Sequence, residues 1–399
     1  MIRRIQIDNF KSLDGFSLPP VGSPPLANFT CLIGANGSGK TSVLQAIDYL
    51  ANLVGSDASQ WIENRGWSRS ELRSKHLNQK VPGIRTSFSV ELEIQGVGTV
   101  KWSGRFVFNG PGTIQELIEV NGKRVLEVKR GRLQIYDQEK GSETDLSALR
   151  FNGSSLRFLD EESLPQSLVR FKSAMENIKS LELLSPATMR TSSRPSDSIG
   201  SSGEFLAGFL HKLRPEIRGK VQAKVREFFP SFVQIGTPSK EYGWRSLEAR
   251  EKNVSLVTAK HLSDGFLRIL AIISQVEQQD TPDTVILIDE IENGIHPELV
   301  EHLVVYLLQA KAQIIVTTHS PQTLNYLSNE EARDSMIFLY RNSEGITRCC
   351  RYFDLPSASK KLGILGPGEV YVDTSIDRLA MEAEEIEQRT KAEAGAVAQ

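Results

Sequence analysis

The opening segment "MIRRIQIDNFKSL" alternates apolar with polar residues, which predicts a strand with one buried face. A continuous apolar stretch follows at "NFTCLIG", then a glycine-rich loop and the amphipathic run "TSVLQAIDYLANL", so Met1 to about Asn52 reads as the start of a βα unit. From Thr86 to about Tyr136, "TSFSVELEIQ", "GTVKWSGRFVF" and "KRVLEVKRGRLQIY" alternate again and are joined by glycine-containing turns, which predicts an antiparallel meander. Leu156 to Phe229 reads as mainly helical, interrupted by "RTSSRPSDSIGSSGE", whose Ser, Gly and Pro content predicts a mobile loop. After His261 the pattern becomes helix and short apolar strand in turn: "SDGFLRILAIISQVEQ", "TVILIDE", "PELVEHLVVYLLQAK" and "AQIIVTTHS". There is no internal repeat and no sustained heptad run, so no long coiled-coil arm is expected.

Composition adds limits. With 399 residues, 39% of them hydrophobic, the chain can bury two lobes. No segment has the unbroken apolar length of a membrane span and the N-terminus lacks a signal-peptide core, so a cytoplasmic protein without membrane association is expected. Cys31, Cys349 and Cys350 form neither a disulfide framework nor a paired zinc spacing. A net charge of −2 excludes a polycation, and any nucleic-acid surface must be local.

The chemistry starts in the glycine loop. Gly34, Ala35, Asn36, Gly37, Ser38, Gly39, Lys40 and Thr41 fit G-x-x-x-x-G-K-[ST] between a strand and a helix, with Ser42 next in line. Glycines let successive N–H groups and the helix N-terminus face phosphates; Lys40 would reach the β- and γ-phosphates of ATP and Thr41 would offer its hydroxyl to Mg²⁺. "VILIDE" is an apolar run ending in two acids, as expected where a buried parallel strand opens on a ligand crevice. Asp289 would hold Mg²⁺ through its water shell, and Glu290 would orient or deprotonate the attacking water. "QIIVTTHS" brings His319 to the same crevice, where it is expected to sense the γ-phosphate. His76 and His211 are expected to be solvated or core residues; His296 and His302 lie near the site in sequence without clear membership.

A second anion site is expected at "HLSDGFLRIL", where Ser263 and Gly265 open a helix with bare N–H groups. One chain cannot easily aim both helix ends at one triphosphate, so two copies would sandwich two nucleotides. The basic segment His211 to Phe229, with Lys212, Arg214, Arg218, Lys220, Lys224 and Arg226, could follow a phosphate backbone but reads first as a solvated face. The C-terminal "SIDRLAMEAEEIEQRTKAEAGAVAQ" reads as a polar surface helix with a frayed end.

Together, "GANGSGKT", "LSDGF", "LIDE" and "TTHS" resemble the Walker A, signature, Walker B and switch-histidine elements of the ABC-type ATPase superfamily. "IRRIQIDNFKSL", "LSDGFLRILAII" and "IDEIENGIHPELVEHLV" resemble its soluble branch, which includes RecF, SMC heads, OLD-family ATPases and the AAA-21 and AAA-15 predicted ATPases. The resemblance implies an α/β fold: a P-loop ABC-ATPase head with an antiparallel β meander and a helical insertion lobe. It is divided here into an N-terminal ATPase lobe (1–150), a mainly helical lobe (151–245), a C-terminal ATPase lobe (246–350) and an extension (351–399). It further implies ATP and Mg²⁺ as cofactors and a homodimer closed by ATP, with Ser263 and Gly265 acting on the other copy's nucleotide and Glu292 and Gly294 near the seam. Asp264 and Phe266 stand where transporter ATPases carry Gly and Gln, which argues against a transporter. No Q-loop residue is assigned among Gln79, Gln95 and Gln115, and the segment after His319 has no Asp-x-Asp pair for a nuclease. By analogy the ATPase would act in DNA repair or anti-phage defence, DNA being a possible ligand, and would control a separately encoded effector; the alternative is an ATP-gated module that binds a protein and no nucleic acid.

Overall fold

The computed structural model describes residues 1–75, 85–107, 113–137, 142–147 and 153–397. Among them the strands form three sheets. An eight-stranded sheet is antiparallel throughout: β1 (Ile2–Asp8), β2 (Phe16–Leu18), β4 (Arg85–Ile94), β5 (Gly98–Val107), β6 (Thr113–Val120), β7 (Lys123–Lys129), β8 (Arg132–Asp137) and β9 (Ser142–Ser147), in spatial order β2-β1-β4-β5-β6-β7-β8-β9. A six-stranded sheet runs β10-β14-β15-β3-β16-β17, from β3 (Phe29–Ile33), β10 (Ile178–Leu181), β14 (Val285–Ile288), β15 (Gln313–Thr317), β16 (Met336–Arg341) and β17 (Thr347–Arg351); all its pairs are parallel except β16–β17. A small sheet joins β11 (Phe232–Gly236), β12 (Glu248–Glu251) and β13 (Val254–Thr258).

The sequence patterns explain the division. β3, β14 and β15 are buried at every residue, so they can occupy only the middle of a sheet covered on both faces. β4 alternates buried and half-buried positions, as a strand with one apolar face must. In the parallel sheet Leu32, Leu287, Ile315 and Leu339 point into one core with helix α1 (Lys40–Gly55) and the antiparallel sheet. Ile33, Ile286, Ile314 and Phe338 point into the other, with α5 (Asp264–Gln278) and α6 (Pro297–Leu308). Gln313 fastens the two sheets: its amide exchanges bonds of 2.7 and 2.9 Å with the backbone of Ile2.

The meander is longer than its sequence predicts. "KRVLEVKRGRLQIY" is two strands reversed at Arg130 and Gly131, both at positive φ (53° and 77°) as a tight hairpin requires, and β6 and β9 lie outside the predicted runs. The region expected to be helical contains α3 (Gln166–Glu176) and α4 (Pro215–Phe228), but also β10, the edge strand beside β14. The segment Arg190 to Glu204, expected to be mobile, packs inward: Ile199 is buried, the Ser193 hydroxyl accepts from Gly208 N–H, and Ser193 and Arg245 exchange two backbone bonds. Glycine and serine there allow close approach rather than motion. The C-terminal helix α7 (Ile376–Val397) is docked on its own chain, burying Leu379 and Ala383 and receiving hydrogen bonds on Glu384 from Ser343 and on Glu387 from Tyr340. Among the described residues no helix is long and apolar enough to cross a membrane.

Candidate functional site

The carboxyl edge of the parallel sheet collects the predicted chemistry. β3 ends at the glycine loop, β14 at Asp289 and Glu290, and β15 runs through Thr317 to His319. Because β15 lies between β14 and β3, the glycine-loop helix start meets Asp289 although 248 residues separate Thr41 from it. A ligand crevice outside the strand ends is the expected result of such a sheet.

Glycine is required at two points of the loop. Gly34 adopts φ 143° and a Cβ there would lie 2.1 Å from the Leu339 carbonyl oxygen; Gly39 adopts φ 107° and a Cβ would lie 2.4 Å from Thr347 Oγ1. The loop is thus pressed onto β16 and β17. Arg341 Nε donates to Gly37 O (2.7 Å), and Thr347 Oγ1 donates to Ser38 O (2.9 Å) while touching Ser12 Oγ (2.8 Å). The Gly37 and Ser38 carbonyls are thereby held toward β16 and β17, while the Ser38 N–H closes a turn on Ala35 O (3.1 Å).

Lys40, the first residue of α1, is buried and donates to the carbonyls of Gly34 and Ala35 at 2.9 Å each. Burial pushes its ammonium down to about 8, against the raising fields of Asp289, Glu290 and Glu292. Thr41 Oγ1 donates to Asp289 Oδ2 (2.9 Å). Thr317, fully buried, donates to Asp289 Oδ1 (2.5 Å) and accepts from Glu290 N–H (2.8 Å). Glu290 holds φ +47°, uncommon for a non-glycine residue, and its exposed carboxylate accepts from Asn293 Nδ2 at 3.1 Å. Glu292 accepts from Thr318 Oγ1 and from the N–H groups of His319 and Ser320 (2.8, 2.8 and 3.1 Å), which ties the turn after Glu290 to the strand end carrying His319. Burial and then Lys40 lower the His319 imidazole, opposed by Glu290, Glu292 and Asp289, so its neutral form is favoured.

The residues fit a magnesium nucleotide. The buried Ser38 hydroxyl on the loop has no partner among the described residues, and Thr41 and Asp289 present hard oxygen donors 2.9 Å apart. No group of three or more His, Cys, Asp or Glu able to hold a metal occurs among the described residues, so a divalent ion at Thr41 and Asp289 would complete its shell with phosphate and water oxygens. Asn36 is exposed at the loop tip, and Ala35 and Ser42 are partly exposed beside it.

The signature turn stands apart. Ser263 is exposed and caps α5 by accepting from Phe266 N–H (3.2 Å), Asp264 is held by Arg190 (2.6 Å), and Gly265 lies against Gly294, whose carbonyl oxygen would be 3.1 Å from a Cβ. Its contacts among the described residues are to these neighbours, not to the glycine loop. Of the glutamines weighed for a Q-loop, Gln95 and Gln115 lie at the antiparallel sheet, and Gln79, like His76, is outside the described residues. The strand end beside Asp289 carries Glu182 instead. Glu182 is buried, receives Gln45 from α1, and shares Arg65 with Asp48 at 3.1 and 2.9 Å; Lys11 in turn donates to Gln45 (2.5 Å). His211 contacts Thr237, His302 packs on Phe228 and His296 stands at the N-cap position of α6 without a side-chain capping bond. Thr317, Arg341, Thr347 and Glu182 had no sequence signal, since each acquires its partner only through sheet pairing.

The comparisons bear on the family and the fold. The family model of the AAA domain described as a putative AbiEii toxin of a Type IV TA system matches residues 29–325, about three quarters of the chain. The chain belongs to this family. It carries the AAA-type ATPase domain of that family. Similar solved structures include the SMC head bound to the C-winged helix domain of ScpA (16% identity, 87% of this chain and 96% of that one, TM-score 0.58). A Pyrococcus furiosus Smc head with an extended coiled coil, bound to the C-terminal domain of ScpA, matches at 13% identity over 87% and 95% (TM-score 0.52). The Pyrococcus yayanosii Smc head with a coiled coil and joint matches at 11% over 88% and 96% (TM-score 0.51). At these identities the likeness is one of fold: the mixed α/β head with its antiparallel sheet is shared. No curated protein matches the chain.

Proposed function

We propose that this family member is a Mg²⁺-dependent ATP hydrolase that dimerises on ATP and serves in the cytoplasm as a sensor or clamp, in DNA repair or anti-phage defence, controlling a separately encoded effector. One observation carries the catalytic part: Thr41, Asp289, Thr317 and Glu290 form an unbroken hydrogen-bonded chain from the start of α1 to the ends of β14 and β15. In it Thr41 and Asp289 would hold the metal, which supplies charge neutralisation on the phosphates when bound. Thr317 fixes Asp289 and the Glu290 backbone, leaving the Glu290 carboxylate exposed to accept a proton from water. Lys40 would exchange two loop carbonyls for phosphate oxygens, and the neutral His319 would contribute a hydrogen bond rather than a second positive charge. Residues Gly34 to Ser42 supply the cradle; Ser263 and Gly265 would complete it on the other copy. The deciding experiment is Glu290→Gln: ATP should remain bound, turnover should fall by at least about 10²-fold, and dimers should accumulate on size exclusion with ATP. Normal turnover would remove Glu290 from the role.

A second reading, a module that binds a protein partner and no nucleic acid, is favoured by the basic segment. Arg218 donates to the carbonyls of Leu210 and His211, Arg226 to Val233, Lys224 pairs with Glu227 and Lys212 with Asp197. Charges engaged in this way are poorly placed to follow a phosphate backbone. ATPase stimulation by DNA that declines with salt would support the first reading; indifference to DNA would support the second.

A further inference from the structure

Among the described residues a cavity of about 650 Å³ lies apart from the nucleotide crevice. It runs along the open edge of β10, between the C-terminal half of α1 and the segment Ser198 to Phe205. Two features mark it as built to receive something. Among the described residues β10 pairs only with β14, and since Asn177 O accepts from Val285 N–H, the alternation of a strand turns the N–H and C=O groups of Ile178 and Ser180 away from β14, on the side of the cavity that both residues line. Gln275, 3% exposed on α5, lines the cavity, and among the described residues its Nε2 and the buried hydroxyl of Ser180 have no hydrogen-bond partner. A buried amide donor without an acceptor is costly to keep unless a ligand satisfies it.

The lining selects the ligand. Asp48, Asp57, Glu176 and Glu204 face two cations, Lys179 and Arg65, and Arg65 is already shared between Asp48 and Glu182. The surplus is negative. Phe205, 42% exposed, adds an apolar wall. We infer that the β10 edge is a docking site for an extended peptide segment of a partner protein, which adds as a further strand and presents lysine or arginine side chains to the cavity carboxylates. The open edge would give main-chain bonds over about 13 Å, and alternate side chains would meet the carboxylates and Phe205. The site does not depend on the nucleotide reading, which would survive its failure.

The test uses the full chain and a fluorescein-labelled heptapeptide of alternating valine and lysine, with a valine–glutamate heptapeptide as its opposite. Anisotropy at low salt should give a dissociation constant near about 100 μM or tighter for the lysine peptide, and no saturable binding for the glutamate one. Ser180→Pro removes an N–H that makes no bond to β14, so the sheet should tolerate it while lysine-peptide affinity falls about tenfold or more. Glu176→Gln with Glu204→Gln should weaken binding by a similar factor. Hydrogen exchange on the unaltered protein adds a readout independent of variant folding: the Ile178 and Ser180 amides should exchange more slowly with the lysine peptide present. Equal binding of both peptides, undiminished binding by folded Ser180→Pro, unchanged exchange at these two amides, or no binding of the lysine peptide up to about 1 mM would each overturn the assignment.

Discussion

Thr317→Val is the most informative substitution at the site, because it removes one hydroxyl and almost no volume. In the native protein that hydroxyl gives its proton to Asp289 and its lone pair to the Glu290 N–H, in a position with no solvent exposure. The valine methyl leaves the Glu290 N–H without its acceptor and Asp289 Oδ1 without that donor. An unsatisfied buried N–H costs about 1–3 kcal/mol, and a hydrogen bond to a carboxylate contributes about 1.5–3 kcal/mol. Partial relaxation of the exposed Glu290 turn offsets some of this, leaving about 3 kcal/mol against the native arrangement of the two strand ends. Should the transition state need that arrangement, kcat falls about 10²-fold, at 1.36 kcal/mol per factor of ten. ATP affinity, which draws mainly on loop N–H groups and Lys40, should change less than about fivefold. Thr317→Ser keeps the hydroxyl and should restore kcat to within about threefold of the native value. The assay is steady-state phosphate release with an independent nucleotide titration. A Thr317→Val enzyme with kcat within about twofold of native would refute the claim that this residue positions the metal-binding and proton-accepting groups.

Two further outcomes are expected. Because burial holds Lys40 near 8, below the ordinary 10.5, the folded chain binds fewer protons than the unfolded one between those values, and this group alone makes stability rise with pH across that window. A triphosphate beside Lys40 would reverse the depression, so ATP binding should take up a proton near pH 8 and weaken as pH rises further; calorimetry in buffers of different ionisation enthalpy should show that uptake, and Lys40→Ala should abolish it while weakening binding. Ser263→Arg should leave nucleotide binding by single chains intact but block ATP-driven association; a dimer that still forms on size exclusion would refute the contact across the seam.

What was legible in the sequence follows from range. The glycine loop and its helix are contiguous, so their residues declare themselves by spacing; "VILIDE" and "QIIVTTHS" do so because strands buried on both faces must be uniformly apolar. Thr317 looks like any strand-end threonine until the β14–β15 register, Ile288 beside Val316, sets it against Asp289 and Glu290. Arg341 and Thr347 contact the loop only because β16 returns next to β3 after some 300 residues. β10 escaped notice for a different reason: four residues, only two of them apolar, carry too little periodicity to separate a strand from the surrounding helices, and with it Glu182 and the free edge stayed hidden. The basic segment shows a third limit, since a sequence displays charges and not the carbonyls that occupy them.

The Ser263 turn and Glu290 are mechanically joined within one chain. Gly265 meets the Gly294 carbonyl closely enough that a methyl group would intrude, Asn293 beside it holds the Glu290 carboxylate, and Glu292 holds the strand end of His319. Arg268, one turn into α5, donates to Leu184 O (3.0 Å) and lies in the field of Glu290 and Asp264 while burial lowers its own basicity. The turn from Glu290 to Ile295 is therefore clamped between the start of α5 and the end of β15, with little freedom to move alone. In the proposed dimer, a triphosphate that draws in Ser263 would load α5 against this turn and so bear on Glu290 of the same copy, which serves the other nucleotide. Each site would then sense the occupancy of its twin through a glycine-to-glycine contact, and an ATPase wired in this way is suited to reporting closure rather than to rapid independent turnover.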